Sequence, residues 1–204
     1  SDVCSSDLTL GFVLDRVGQR SDALAAGRRA VELEPDNWRH HLRLGYVAWG
    51  EDRLREARRT LALLPELPLA HWLAATVLVA RQAFDAAERE LRTGLEARHR
   101  RPEGASWSGV ALHWLLGLLL IARGDEDGGL AELHLELADE RSGHLYAREC
   151  CANAWYAIGI IDLQHGHRDA AARALEQALM RLPSHQAAAA ALRACDPKIG
   201  RAHV

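Results

Sequence analysis

Between residues 155 and 183 the apolar and small positions fall into two stripes at helical spacing. Trp155, Ile158 and Gly159 share one face of a helix; after the polar stretch His165, Gly166, His167, the residues Ala171, Leu175 and Ala178 form a second stripe, which Pro183 ends. The pattern predicts two amphipathic helices joined by a short turn at Gly166, with small residues that let them approach closely. It recurs at Leu10, Gly11, Gly18, Ala23, Ala30 and Pro35, and again at Leu44, Gly45, Ala57 and Leu61. Weaker copies carry Ala74, Ala75, Phe84, Ala87, Leu91 and Gly94, then Leu116, Gly117, Gly124 and Leu133. The small first-helix residue falls at Gly11, Gly45, Ala75, Gly117 and Gly159, in steps of 34, 30, 42 and 42, and the turn positions Gly18, Asp52, Gln82, Gly124 and Gly166 repeat those steps. Two independent markers agree on one register. The step of 30 predicts a second helix cut short before Pro65 and Pro68; each 42 predicts about eight extra residues, roughly two helical turns, around 98–107 and 143–151. Pro35, Asp36 and Asn37, like Pro183 and Ser184, stop one helix and offer an N-cap to the next, and Pro68 suits a first helical turn. No segment alternates apolar and polar residues between turn signals, so almost no strand is expected.

A helix pair of this kind cannot bury its apolar face alone, so successive pairs are expected to stack around a continuous core. The quoted positions resemble the tetratricopeptide repeat, over essentially the whole stretch from Thr9 to about Lys198. The repeats fall at about 9–37, 38–67, 68–109, 110–151 and 152–185, with the opening helix of a sixth at 186–198. Gly27 and Asp162 depart from the pattern, which usually has a larger residue at the first position and an apolar one at the second. The resemblance implies an all-α fold, a right-handed α-solenoid of about five helix hairpins plus the first helix of a sixth. It further implies a concave groove lined by the residues two, five, nine and twelve places into each repeat. Here these are Phe12 and Asp15; Arg39, Leu42, Tyr46 and Trp49; Leu69, Trp72, Thr76 and Val79; Ala111, Trp114, Leu118 and Ile121; Asn153, Tyr156, Ile160 and Leu163. The candidate partner-binding residues are Tyr46, Trp49, Trp72, Trp114, Leu118, Tyr156 and Ile160. Chaperone-binding members of the family hold a peptide's terminal carboxylate with Lys and Asn at such positions. This chain has Leu42, Trp72, Trp114 and Tyr156 there, so no carboxylate clamp is expected. An apolar, aromatic-rich groove suits an amphipathic helix or an extended hydrophobic segment of a protein partner. The alternative is that tight winding, or another part of the same protein, covers this face.

Composition narrows the function classes. The 204 residues are 49% hydrophobic and 26% charged, enough to bury a core, and six Pro with 16 Gly exclude a low-complexity chain. The longest apolar run, Val110 to Ala122, includes His113 and is too short to span a bilayer, so no membrane insertion is expected. A formal net charge of −3 argues against nucleic acid as a partner. Lys198 is the single lysine against 24 Arg, which removes P-loop and Schiff-base chemistry from the repeats and, with the abundant Ala, points to a GC-rich gene. Gly104, Ala105, Ser106, Trp107 and Ser108 begin like a nucleophile elbow but lack the second Gly and a preceding strand, and read as an inter-repeat loop. Asp162 and His165 at i, i+3, with His167 close by, have metal-ligand chemistry, but lie at an exposed turn where polar residues need no such role. Cys150, Cys151 and Cys195 lack CxxC spacing and read as apolar residues of a reduced protein. Arg98, His99, Arg100 and Arg101 form a basic tip read as a surface loop. No catalytic residue, metal site or cofactor is therefore expected. The reading is a non-catalytic, cytoplasmic protein-interaction scaffold; the alternative is the sensory or regulatory half of a larger bacterial regulator or signalling enzyme.

Both ends invite a different explanation. Asp2 to Leu8 back-translate, with suitable codons, to GACGTGTGCTCTTCCGATCT, whose reverse complement encodes IGRAHV, the sequence of Ile199 to Val204. The oligonucleotide resembles a short-read sequencing adapter, so residues 1–8 and 199–204 are expected to be adapter-derived scars outside the fold. Genes of related proteins should then diverge abruptly at these borders; continuous genes encoding both segments would remove the explanation.

Overall fold

The computed structural model describes residues 14, 15, 17–100, 111–142 and 146–195. Expectations placed on Gly11, Phe12, residues 101–110 and the two ends lie outside the described residues. The chain forms two compact units, residues 1–109 and 110–204. In the first, α1 (Arg20–Leu33) is followed by the hairpins α2 (Trp38–Val47)/α3 (Gly50–Leu63) and α4 (Pro68–Ala80)/α5 (Phe84–His99). The second holds α6 (Leu112–Ala122)/α7 (Glu126–Ala138), a 3-10 turn at Asp139–Ser142, α8 (Ala147–Gln164)/α9 (Arg168–Arg181) and α10 (Gln186–Cys195). Among the described residues there is no strand. The fold is an all-α helical repeat.

Helix boundaries follow local chemistry. Asn37 caps α2, its side chain accepting from the Arg39 N–H at 3.1 Å, and Asp125 caps α7 through Gly128 N–H at 3.0 Å. Pro68 occupies the first turn of α4. For α10 the cap is His185, whose Nδ1 accepts from Ala188 N–H at 3.2 Å; Ser184, the expected cap, is one residue too early for a helix that begins at Gln186. A buried carboxylate starts α6: both Glu136 oxygens accept backbone N–H groups, Ala111 at 2.8 Å and Trp114 at 3.1 Å. Burial drives the Glu136 carboxyl above the usual carboxylate range, against these two hydrogen bonds.

The hairpins share one spacing. Gly45, Ala75, Gly117 and Gly159 are each buried, and each stands twelve residues before a buried small residue of the second helix, Ala57, Ala87, Gly129 or Ala171. A Cβ on Gly117 would lie 2.8 Å from the Gly129 carbonyl oxygen, and one on Gly159 would lie 2.8 Å from Leu175 Cγ. Around these contacts the cores close: Leu42, Ala57, Leu67, Leu73 and Ala74 in the first unit, and Leu133, Ala154, Ile158, Ile161 and Ala174 in the second. The departure at Gly27 has a packing reason, since Leu44 from α2 approaches to 3.1 Å of where its Cβ would be and fills the space.

One length expectation is corrected, and with it the place of one turn. The second helix of the short repeat is not truncated: α3 has 14 residues, as many as α1 and α9. Instead the turn moves. In the other three hairpins the first helix ends five residues after the small position, at Ala80, Ala122 and Gln164, whereas α2 ends two residues after Gly45. Left-handed backbone falls at Gln82, Gly124 and Gly166 in those hairpins; the equivalent residue here, Asp52, lies inside α3, and Gly50 takes the positive φ of 56° instead. Glycine accepts that conformation without a Cβ clash, so the turn forms where the glycine stands. Part of the extra length near 143–151 joins α8, which at 18 residues has the longest span of the described helices.

Backbone approach ranks the glycines. Gly117→Ala should cost about 1–3 kcal/mol, because the new methyl meets a carbonyl that cannot rotate away. At Gly45 the nearest atom is the end of the Leu73 side chain at 3.3 Å, and the gain in helix propensity of about 0.5–1 kcal/mol should offset the contact. Chemical denaturation of both variants checks the order; equal losses would show that backbone proximity does not set it.

Candidate functional site

In each unit the first helices carry half-buried aromatic and aliphatic side chains. In the first unit, α2 and α4 bring Tyr46 and Trp72 together, half-buried, with ring centroids 6.0 Å apart and planes at 30°. Trp72 leaves its indole N–H buried without an acceptor, and Thr76 follows one turn on. In the second unit, Trp114, Leu118 and Ile121 of α6 are half-buried against Ala154, Ala157, Ile158 and Ile161 of α8. Ile160 is half-buried on α8, and Tyr156 sets its ring 4.9 Å from His185 at the start of α10. Not every position in the expected lining stays open: Leu42 at 1%, Leu69 at 7% and Ala111 at 6% exposure belong to the core.

Trp49 departs from its expected place. Because α2 stops at Val47, Trp49 is the extended residue preceding α3 and is 65% exposed. Its ring lies over the Arg53 guanidinium, 4.0 Å from Cζ, with Arg20 Cζ at 5.9 Å. The early helix end leaves carbonyls to satisfy. Arg53 Nε donates to Gly45 O at 3.1 Å and Ala48 O at 3.0 Å, Nη2 to Tyr46 O at 3.0 Å, and Nη1 to Thr76 Oγ1 at 3.3 Å. Arg20 Nη2 donates to Val47 O at 2.8 Å. Burial, and then the neighbouring Arg20, push Arg53 down to about 10 from the ordinary arginine range, still protonated at neutral pH.

Solved structures align with this arrangement of helices. The thermophilic tetratricopeptide-repeat protein TTC0263 of Thermus thermophilus is 20% identical, with a TM-score of 0.72 over 94% of this chain and 98% of that one. The chain has the tetratricopeptide-repeat fold. YrrB, a tetratricopeptide-repeat protein with an unusual peptide-binding site, is 20% identical over 92% of this chain and 90% of its own, with a TM-score of 0.53. MamA is 16% identical over 88% and 92%, at 0.58. No family model matches the chain, and no curated protein matches it.

Within the tetratricopeptide register a further constellation emerges that the sequence reading missed. The position four residues before the small residue is Trp155 in the α8/α9 hairpin but His41, His71 and His113 in the three hairpins before it. Each of these buried rings turns Nδ1 to a carboxylate of its own second helix: Glu56 at 2.7 Å, Glu90 at 2.8 Å and Glu132 at 2.6 Å. His41 also engages the Pro35 carbonyl through Nε2 at 2.8 Å. Burial raises the Glu90 carboxyl, but hydrogen bonds from His71 and Arg58 outweigh it and hold the group below the usual carboxylate range. The signal was one histidine at the same repeat position three times, followed by a glutamate 19 residues on in two cases.

The other chemistry-bearing residues do not assemble. His165 pairs with Glu126 at 3.3 Å, and His167 approaches Asp162 at 3.5 Å. Among the described residues no group of three or more His, Cys, Asp or Glu is placed to hold a metal ion. Burial drives the Cys150 thiol far up and pushes Cys151 up to about 12, so neither presents a thiolate at neutral pH. Cys151 donates instead to the Glu136 carbonyl at 3.4 Å. No helix of the described residues is long and apolar enough to cross a membrane.

Arg53→Met should lower stability by about 1.5–3 kcal/mol, since it removes charge-assisted hydrogen bonds and leaves buried carbonyls unpaired. Exposed Arg20, replaced by Gln, should cost under about 1 kcal/mol. Thermal unfolding followed by circular dichroism separates the two.

Proposed function

We propose that the protein is a non-catalytic interaction scaffold that binds a hydrophobic or amphipathic segment of a protein partner on its first-helix faces. The observation that carries this reading is the partial exposure of aromatic rings at equivalent repeat positions: Trp72 in the first unit, Trp114 and Tyr156 in the second. Tyr46, Leu118 and Ile160 extend the two faces. Half-buried rings fixed by their own helices lose few rotors on binding, so contact area converts efficiently into affinity. Such positions in a closed core would be fully buried, as Leu175 is at 0%. The contacting side chains are apolar, which suits a segment with apolar residues at helical spacing.

Peptide display against the full chain tests the reading, with enrichment of amphipathic sequences expected. For a selected peptide, Trp114→Ala should weaken binding by roughly 2 kcal/mol or more while costing less stability than Leu175→Ala, which should lose about 2–5 kcal/mol. No enrichment, or binding insensitive to Trp72, Trp114 and Tyr156, would overturn it.

A further inference from the structure

The two arginines at the end of α2 carry more positive charge than helix capping absorbs. Arg53 and Arg20 converge on the consecutive carbonyls of residues 45–48, and the terminus of one helix offers about half a negative charge against two cations. On α3, beside Arg53, the residues Arg55, Arg58 and Arg59 each pair with a carboxylate, Asp52, Glu90 and Asp36 respectively. Arg53 and Arg20 make no ion pair among the described residues. Asp15 is the acidic residue whose field reaches Arg53, and it is exposed and unbonded to it. The cluster adjoins the aromatic face: Arg53 bonds the Tyr46 carbonyl and the Thr76 hydroxyl, and the exposed Trp49 ring flanks both guanidiniums.

We propose that this end of the first unit's face is an anion subsite that takes the side-chain carboxylate of an Asp or Glu carried within a hydrophobic segment, whose apolar residues lie on Tyr46 and Trp72. The inference rests on the scaffold reading above and adds the partner's charge. Exposed Arg20 supplies the direct contact, and buried Arg53, 7% exposed, supplies a fixed positive field behind it. A terminal carboxylate fits less well, because its last amide also needs holding. Leu42 is core and apolar, and the Trp72 indole N–H is buried. A nucleic acid strand would need a track of cations, whereas this cluster is a single pair in a chain of net charge −3.

The test uses the full chain and short amidated, fluorescein-labelled peptides of Leu, Phe and Ala with a central Glu, Gln or Lys. The Glu peptide should bind about fivefold more tightly than the Gln peptide at low salt, with the Lys peptide weakest and the preference shrinking as salt is added. Arg20→Gln should abolish the preference without changing the circular dichroism spectrum, and Arg20→Glu should reverse it towards Lys. Equal binding of the Glu and Gln peptides, lost in Trp72→Ala, would overturn the subsite and leave the scaffold reading standing. Binding of none of the peptides would overturn both. A preference that appears only with a free C-terminal acid, or competition by oligothymidylate, would replace the side-chain carboxylate with another ligand and overturn the proposal.

Discussion

Two helices joined by a turn of a few residues can bury their facing stripes only if their backbones come within reach of small side chains. In this protein every described hairpin buries a pair of small residues twelve apart, Gly45 and Ala57, Ala75 and Ala87, Gly117 and Gly129, Gly159 and Ala171. The tightest crossing has glycine on both helices, where each Cβ would stand under 3 Å from the other's carbonyl oxygen. A longer side chain there would push the helices apart and open the leucine-rich contacts that flank the crossing. Everything else about a hairpin is then free to vary, provided that this spacing is kept.

The variation is visible, and each instance carries its own compensation. The α2/α3 hairpin ends its first helix early and starts the next one early, without changing the spacing from Gly45 to Ala57. The carbonyls released by that shift fall to Arg53 and Arg20. Added length near residue 147 goes into the start of α8, ahead of the crossing rather than inside it. At α6 the left-handed Ala111 opens the helix, and Glu136 reaches back from α7 to take the N–H groups that no serine or aspartate is present to cap.

These differences explain which parts of the molecule were legible in the sequence. Helix positions, small-residue contacts and most turns follow from apolar periodicity and from Gly or Pro at fixed offsets, which are local properties of the chain. The displaced turn was misread at Asp52 because the repeat register outweighed Gly50, the residue with the conformational freedom the turn requires. Trp49 was misplaced with it, onto a helical turn that does not form. The His–Glu pairs, Arg53 and Glu136 depend on side chains that meet across 5 to 25 residues, and their partners include backbone carbonyls and N–H groups, which leave no mark in composition. Leu42 and Leu69 share the register of exposed positions, yet both pack into the core of the first unit, so register alone did not separate lining from core.

The buried polar pairs also bear on how the aromatic face is held. Apolar stripes on two helices tolerate sliding by a turn with modest loss, because leucine and alanine contacts are nondirectional. A buried histidine that must meet one glutamate tolerates far less, since a slip leaves its ring desolvated and unpaired. His41 with Glu56 and His71 with Glu90 therefore fix the register of the two hairpins that carry Tyr46 and Trp72, and His113 with Glu132 does so for the hairpin that carries Trp114. The α8/α9 hairpin has Trp155 packed near Ala174 at the corresponding place, and there Arg181 stands 5.8 Å from the Trp155 ring while pairing with Glu140 at 2.7 Å. Polar specificity is thus spent inside the hairpins, and the rings at their surface inherit fixed positions from it.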